Sequence, residues 1–367
     1  MSEPLQDVDS IVQNFNQLED PRSTVNQRHL LGDLIVICIM GVIAGADGPL
    51  AIGVWAANNK RWLRQRLQLP NGIPSHDTIG RLLAALSPVG FQSCFESWIA
   101  SITVGEDKVD LRQIAVDGKV LRRSHDKRNG LGPLWLVSAW GVDRGISLGQ
   151  LATDEKSNEI TAIPQLLANL ELKDTVVTID AAGCQRAIAK QIVDAKGDYV
   201  FSLKGNQSKL HDAVSSYIET HMENNFADIK ARTFIETLKG HGRVDEITYY
   251  QMPVPADLVN REMWAGLKTI GVAIRISQCG DVCTSEVRYY ISSISMGVKR
   301  FGRLVRGHWA IENTLHWCLD VTFRQDESRV RNRNTANNLA WLKRFSLSLL
   351  KQQKDKHSIA MRRRIAG

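Results

Sequence analysis

The order of strand-like and helix-like segments between Arg112 and Lys204 constrains the fold of this chain most. Three short β-type segments come first, RQIAVDGKVL, PLWLVSAWGV and ISLGQLATDE. A helical pattern over residues 158–170 follows, and then the buried-type strand TVVTIDA, the helix CQRAIAKQIVDAKG and the strand DYVFSLK. The order βββαβαβ predicts an α/β fold in which helices cover the faces of a mixed sheet.

The flanking regions have other patterns. Residues 1 to about 105 show helical periodicity, residues 206–298 are mostly β-type, and helical patterns return at residues 299–319 and 336–350. The fold class we predict is a ribonuclease-H-like mixed sheet with a β-rich insertion, preceded by an all-helical N-terminal domain. The predicted divisions are 1–105, 106–205 (first part of the core), 206–298 (insertion), 299–350 (rest of the core) and 351–367 (basic tail).

The N-terminal region contains a helix-turn-helix outline. A helical segment over residues 50–69 carries four basic residues, and Pro70-Asn71-Gly72 then forms a turn. The next helix begins after Ser75, a plausible N-cap, and includes Arg81. The outline predicts contact with DNA, with Arg81 as one contact, but it is also common in proteins that never bind DNA.

Charge and hydropathy exclude a few classes of protein. The net charge is +7, which fits a polyanionic partner or a merely solvated basic surface. The longest apolar run, residues 30–46, contains Asp33 and is shorter than the ~20 residues of a membrane span. Of the six cysteines only Cys279 and Cys283 lie close together, so we expect reduced thiols in a cytoplasmic protein, with no membrane association and no zinc site.

Two aspartates end strand-like apolar runs. Asp117 follows IAV and Asp180 follows VVTI, and both precede small residues. The carboxyl ends of strands are where ligands meet a rigid scaffold in α/β sheets. Each aspartate taken alone could also be an ordinary residue of a turn.

Glu312 is the third candidate. A helical wheel places it on one face with apolar residues, His308 and His316. A carboxylate in an apolar stripe is costly unless it is paired or binds a metal, so either a charge-paired core glutamate or a metal ligand is expected.

The three acids together favour metal chemistry. Carboxylate oxygens suit two Mg²⁺ or Mn²⁺ ions, which can activate one oxygen and stabilise another in displacement at phosphorus. The sequence has no glycine-rich phosphate loop and no nucleophile elbow, so nothing supports a nucleotide-hydrolysing enzyme.

Several motifs resemble one family over nearly the whole chain. IAVDGKVLRRS, VVTIDAAGCQRAIAKQIVDAKGDYVFSLKGNQ and GHWAIENTLHWCLDVTFRQDESRVR resemble the first-aspartate, second-aspartate and glutamate motifs of H-repeat-associated bacterial insertion-sequence transposases of the DDE superfamily. The segments FNQLEDPRSTVNQRHLLGDLIVICIMGVIAGADG and PSHDTIGRLL resemble the helical domain of that subgroup, and HGRVDEI lies in the insertion.

The resemblance implies a DNA transposase. It would catalyse metal-dependent phosphodiester hydrolysis and strand transfer at insertion-sequence ends, with Asp117, Asp180 and Glu312 as catalytic and metal-binding residues. Double-stranded DNA, both element ends and target, is the implied partner, and a homodimer on paired ends is the expected assembly. A cytoplasmic location with association to the nucleoid is expected.

The glutamate helix departs from the wider family. Relatives carry a tyrosine seven residues before the glutamate, an arginine four before and a lysine seven after, where this sequence has Val305, His308 and Leu319. Arg306 matches the arginine that follows the tyrosine, and His308 is a candidate for a pH-dependent phosphate contact. The other candidate DNA-binding residues flank the acidic motifs, and they are Lys119, Arg122, Arg123 and Lys204.

Two alternatives remain open at this level. The chain could be a catalytically decayed DNA-binding remnant of a transposable element. It could also be a structure-specific nuclease of the same fold, which cleaves without strand transfer.

Overall fold

In the part of the chain that the structure describes, the strands form one nine-stranded mixed sheet. The computed structural model describes residues 11–15, 17–103, 112–153, 159–240, 242–353 and 355–367. Numbered along the chain, the strands are β1 Gln113–Leu121, β2 Leu134–Gly141, β3 Ile146–Thr153, β4 Val176–Ile179, β5 Asp198–Leu203, β6 Arg232–Gly240, β7 Arg243–Pro253, β8 Thr269–Cys279 and β9 Val282–Ser292. Their order in the sheet is β3-β2-β1-β4-β5-β9-β8-β7-β6. The predicted boundary between residues 105 and 106 lies outside the described residues.

The first five strands form the predicted core. β1 pairs antiparallel with β2 and parallel with β4, while β5 pairs parallel with β4, so the sheet is mixed as expected. The connecting helices bury apolar stripes against one face of this sheet. This arrangement confirms the ribonuclease-H-like fold. The helices of this core span Glu159–Ala168 and Arg186–Asp194.

The insertion extends the same sheet. It starts with the helix Ser208–Met222 and then forms long antiparallel strands, β6 Arg232–Gly240, β7 Arg243–Pro253, β8 Thr269–Cys279 and β9 Val282–Ser292. β9 also pairs antiparallel with β5, where Phe201 lies opposite Ile291. The predicted insertion therefore shares backbone hydrogen bonds with the core, and residues from both regions contribute to the site.

The helix that leads to Glu312 lies on the other face of the sheet. It spans Val298–Ala310 and buries Phe301, Leu304 and Val305 against strands of both the core and the insertion. Beyond Ala310 the helix widens into π-helical turns at Ile311–His316 and Cys318–Thr322. Such turns insert extra residues into a helix and are frequent at functional sites.

The N-terminal helices follow the predicted outline. They span Leu31–Ile43, Pro49–Asn58, Lys60–Leu63, His76–Ala85 and Pro88–Thr103. Ser75 caps the fourth of them, because its hydroxyl accepts a hydrogen bond from the Thr78 amide at 3.2 Å, as predicted. We call the helices α1 to α5 in this order. The helices already described at residues 159–168, 186–194, 208–222 and 298–310 are α6 to α9.

The last long helix completes the N-terminal core. This helix, α10 (Arg333–Gln352), includes the predicted 336–350 segment and buries Trp341 and Phe345 among Phe91, Phe95 and other residues of the N-terminal helices. The Asn338 side-chain amide also donates to the Leu83 carbonyl at 2.9 Å. The N-terminal region is thus packed onto the C-terminal one in a shared core.

The basic tail is partly a packed helix. Residues Ile359–Ala366 form α11, and Arg363 is buried with its Nη2 donating to the Val42 carbonyl at 2.8 Å. Arg363 is therefore an internal contact, and so is its neighbour Arg362, whose side chain is 9% exposed and pairs with Asp355, whereas Arg364 is exposed. None of the described helices is long and apolar enough to cross a membrane.

Candidate active site

Asp117 lies inside β1, four residues before its end, and not at a strand terminus as predicted. Ile114 and Val116 point into the core beneath α6 and α7, so the alternation of side chains sends Asp117 to the opposite face, toward α9. The Gln113 side chain lies on the same face as Asp117 and shows that this face is covered by α9. Its Nε2 donates to the Thr178 hydroxyl at 3.0 Å and to the Leu304 carbonyl of α9 at 2.8 Å. Asp117 is therefore aimed at the glutamate helix.

Asp180 directly follows β4, as predicted. β1 and β4 are paired so that Val116 lies opposite Ile179, and the next residues in this register are Asp117 and Asp180. Neighbouring strands lie about 4.8 Å apart, which brings these two aspartates side by side. The Asp180 Oδ1 accepts hydrogen bonds from the Ala182 and Gly183 amides at 3.1 and 3.3 Å, which orient the carboxylate.

Glu312 lies in the first π-helical turn and its side chain is exposed. The prediction that it sits within an apolar stripe is therefore wrong. The wheel assumed 100° per residue, whereas a π turn advances less per residue and rotates each side chain away from its α-helical position. Its neighbours Ile311 and Leu315 are the residues that enter the core, beside Ala115 of β1.

The three carboxylates form one electrostatic cluster. The pKa of Asp117 is raised to about 8, first by burial and then by the negative charges of Asp180, Glu312 and Glu159. Among the described residues, no three Asp, Glu, His or Cys side chains already converge on a single metal position. The side chains are thus close enough to repel one another without forming a closed ligand shell.

Two further residues join this cluster without having been predicted as site residues. Glu159, the first residue of α6, lies so close to Gly118 that a Cβ there would be 2.5 Å from its Oε1. The His316 Nδ1 lies 3.4 Å from the Asp117 Oδ2. Glu159 has no sequence signal, because a glutamate in a first helical turn is commonplace.

His308 does not fit the predicted role of a protonated phosphate contact. It is buried against β4, and burial lowers its pKa to about 4, although the Asp180 charge raises it. Its Nδ1 has no hydrogen-bond partner among the described residues. The imidazole is therefore neutral at ordinary pH and contributes packing over the strand that carries Asp180.

Lys119 is likewise an internal residue and not a free DNA contact. Its side chain is 8% exposed and its ammonium forms an ion pair with Asp320. Arg122 is 75% exposed with its Nε 3.3 Å from the Asp326 Oδ2, and Arg123 is exposed. These two arginines remain accessible to a polyanion.

The remaining predicted DNA contacts are all accessible. Lys204 is exposed and precedes Asn206, whose amide donates to the Ala181 carbonyl at 2.6 Å, so the loop of Lys204 lies beside Asp180. Arg306 is half-exposed on α9 and pairs with Glu236 of β6. Arg81 is exposed on α4, in the N-terminal helical region.

Arg288 is a basic residue of the site that the sequence did not reveal. It lies on β9 with its guanidinium carbon 5.0 Å from the centre of the Trp309 ring, and its Nη2 lies 2.7 Å from the Glu286 Oε1. Burial lowers its pKa, but Glu286, Tyr290 and Glu312 produce a net rise. Only the pairing of the insertion with the core brings this arginine near Glu312, so no local pattern could have found it.

Known families match most of the chain. Residues 109–349 match the family described as Transposase DDE domain, and residues 12–99 match the associated family described as DDE_Tnp_1-associated. A solved chain from a piggyBac transposase synaptic complex with hairpin DNA aligns with a TM-score of 0.44 at 10% identity, covering 100% of this chain and 77% of that one.

Two curated relatives cover nearly the full length. The chain is 38% identical to a putative transposase YncI of Escherichia coli O157:H7, over 95% of this chain and 89% of that protein. It is 35% identical to the H repeat-associated putative transposase YhhI of Escherichia coli strain K12, over 94% and 91%. With a matching domain over most of its length and full-length relatives above 30% identity, the chain belongs to the DDE transposase family.

Proposed function

We propose that this protein cleaves phosphodiester bonds at the ends of an insertion sequence and joins the released 3′ ends to target DNA. The observation that supports the proposal is that the carboxylates of Asp117, Asp180 and Glu312 lie close enough to interact electrostatically. Strand register sets the two aspartates side by side, and the charges of Asp180 and Glu312 both act on Asp117. A protein with a purely structural role would not gain stability from such a cluster, because like charges repel.

The donor set fits a hard divalent cation. All three groups are carboxylates, the ligand type that Mg²⁺ and Mn²⁺ prefer. Burial, and after it the charges of Asp180, Glu312 and Glu159, raise the Asp117 pKa to about 8, and a bound cation would favour the ionised carboxylate against both effects. We propose Mg²⁺ or Mn²⁺ as the cofactor, with two ions held by Asp117, Asp180 and Glu312. When bound, such ions lower the pKa of an attacking water or hydroxyl and neutralise charge at phosphorus.

The surrounding side chains would hold the DNA and the ligands. Arg288 faces Glu312 from β9 and can bind a phosphate oxygen near the triad. Further phosphate contacts are offered by Lys204, beside the Asp180 loop, and by Arg122 and Arg123 in the turn that follows β1. The hydrogen bonds from Ala182 and Gly183 keep the Asp180 carboxylate in a fixed orientation. These contacts would place the scissile phosphate over the three carboxylates.

A cleavage and joining assay tests the proposal directly. Purified protein is incubated with linear DNA carrying candidate element ends, a supercoiled target and Mg²⁺, and the cleaved and joined strands are mapped. We expect cuts at the element ends and joined products. Cleavage without joining would favour a structure-specific nuclease, and end binding without cleavage would favour a decayed remnant.

We also propose that two copies act on paired ends. The family's substrate has two ends, and one triad per copy gives each end its own active site. Mass photometry with and without end DNA measures the stoichiometry. A complex that contains one protein chain and cleaves both ends would contradict the dimer.

A further inference from the structure

A groove between β6 and α9 lies on the surface away from the triad itself. Its volume is about 450 Å³. One wall is the edge strand β6 and the other is the exposed side of α9. The lining residues are Phe234 and Glu236 from β6, and Lys299, Arg303, Arg306, Gly307 and Ala310 from α9.

The α9 wall is a basic stripe. Lys299, Arg303 and Arg306 recur at spacings of four and three residues, so they share one helix face, and all three are exposed. Phe301 and Val305, on the opposite face, are buried in the core. Because the apolar face of α9 is buried against the sheet, these three cations lie on its solvent-exposed face.

Glu236 is the acid that faces this stripe from β6. It forms an ion pair with Arg306, and both side chains are partly exposed, at 26% and 48%. In the part of the chain that the structure describes, Lys299 and Arg303 have no ion-pair partner. The groove thus presents two uncompensated cations and a third whose partner is open to water and can be exchanged for another anion.

The groove ends at the level of the active site along the helix axis. Its last lining residue, Ala310, is two positions, or about 3 Å of axis, before Glu312 on the same continuous helix, but the stripe and Glu312 point to different sides of that helix. The stripe from Lys299 to Arg306 spans roughly 10 Å of helix axis. This is the axial length of about three phosphates of one DNA strand.

We propose that the groove between β6 and α9 binds the phosphate backbone of DNA that flanks the strand held at the triad. Lys299 and Arg303 contact phosphates directly, and a phosphate replaces Glu236 as the partner of Arg306. Glu236 then limits affinity for DNA, since each bound strand must displace it. This inference rests on the proposed DNA-cleaving function and assigns that function a second contact surface.

The test measures DNA binding by the full-length protein in EDTA, so that cleavage does not interfere. The probe is fluorescent duplex DNA carrying candidate element ends, titrated at several salt concentrations. The groove variant is the double substitution Lys299→Gln and Arg303→Gln. The control is Lys173→Gln with Lys190→Gln, which removes the same charge from exposed sites near the opposite end of β4 and on α7.

The groove variant should bind about tenfold more weakly at low salt, and the slope of log Kd against log salt should flatten by about 2. The control should match the parent in both quantities. Glu236→Gln should bind several-fold more tightly, because Arg306 is released for phosphate. Melting temperatures check that each variant is folded.

The outcomes separate the two proposals. The groove variant could bind DNA and respond to salt like the control, while the parent binds and cleaves DNA. This result would refute DNA binding by the groove but would leave the proposed DNA-cleaving function standing. Weaker binding by Glu236→Gln also counts against the groove. A parent that binds no DNA at low salt overturns the proposed function, and the groove with it.

Discussion

The Lys119 ammonium forms an ion pair with the Asp320 carboxylate and so joins the strand of Asp117 to the helical segment that follows Glu312. Lys119 is two residues after Asp117, and the alternation of β1 places both on the same face. Asp320 also acts on Arg344, a fully buried residue of α10 whose pKa burial lowers to about 9. The Asp320 carboxylate therefore stabilises the charges of two buried cations, Lys119 and Arg344.

The two ends of this pair should respond unequally to mutation. Asp320→Asn leaves Arg344 buried without its anion and leaves Lys119 with only the more distant Asp326, whose Oδ1 lies 3.8 Å away, so it should lower the free energy of unfolding by about 3 kcal/mol. Lys119→Met leaves Asp320, which is 31% exposed, in contact with water, and should change that free energy by less than about 1 kcal/mol. Urea unfolding of both proteins measures the difference. Equal losses would mean that the pair does not have this asymmetry.

The triad variants should separate chemistry from binding. Asp117→Asn, Asp180→Asn and Glu312→Gln should each slow strand cleavage by about a thousandfold or more, because each removes one charge from a shared metal site. Affinity for end DNA in EDTA should stay at the parental level. His316→Gln is a useful comparison, since His316 contacts Asp117 but is not a proposed ligand. Full activity in Glu312→Gln would remove that residue from the triad.

Arg288 should behave as a phosphate contact that depends on its charge. Arg288→Ala should lower the cleavage rate ten- to a hundredfold, the loss of about 1.5–3 kcal/mol for a hydrogen bond to a charged group. Arg288→Lys should recover part of that loss, because the charge is kept while the second hydrogen bond is not. Rates measured under single-turnover conditions report the effect. If Arg288→Ala cleaves at the parental rate, Arg288 does not contact a phosphate and has only a packing role over Trp309.

Lys343 of α10 should destabilise the fold at neutral pH. It is 1% exposed, its Nζ has no hydrogen-bond partner among the described residues, and burial lowers its pKa from 10.5 to about 8. Below pH 8 the lysine is protonated in both the folded and the unfolded chain, so the full penalty applies there. The penalty falls between pH 8 and 10.5, where the folded chain loses the proton first.

Lys343→Met should therefore stabilise the protein by on the order of 3 kcal/mol at pH 7. The gain should shrink as the pH rises toward 10.5. Thermal melting of variant and parent across this range measures it. A gain that does not depend on pH would trace the effect to packing instead of charge.

The N-terminal helices should not fold without α10. Their core includes Trp341 and Phe345, so a fragment of residues 1–105 would expose the surfaces that these rings cover. We expect the fragment to bind a hydrophobic dye and to melt without a cooperative transition. Addition of a synthetic α10 peptide should restore cooperativity. A cooperative fragment that binds end DNA by itself would instead identify an independent recognition domain.

Local patterns were sufficient to predict the strands and most helices. Alternation and β-branched residues predict β1 to β5, and the Ser75 hydroxyl predicts where α4 begins, since both signals depend on near neighbours in sequence. The sequence predicts Asp117 at a strand end because the apolar run Ile114-Ala115-Val116 stops there. The strand continues through that glycine, which β1 needs because a Cβ there would collide with Glu159.

The parts that could not be predicted depend on distant contacts or on irregular geometry. The helical wheel used to predict the environment of Glu312 assumes a regular α-helix, and no residue of the segment IENTLH indicates that it forms a π-helical turn. Lys119 looks like any basic residue after an acidic motif, and only its burial against Asp320 shows that it is internal. Arg288 reaches the site because β9 pairs with β5, a choice of partner that is made across the whole sheet.

The shared core of the N-terminal helices and α10 has a consequence for synthesis. Thr103 ends α5 and Arg333 begins α10, so at about 5–20 residues per second the ribosome needs roughly 10 to 50 seconds to make the segment between them. Throughout that interval the apolar faces of α1 and α4 have no permanent cover. A stop codon or a frameshift before α10 therefore yields a chain with an exposed apolar core, which proteases degrade. Truncated copies of such a gene would not produce stable proteins that compete for DNA.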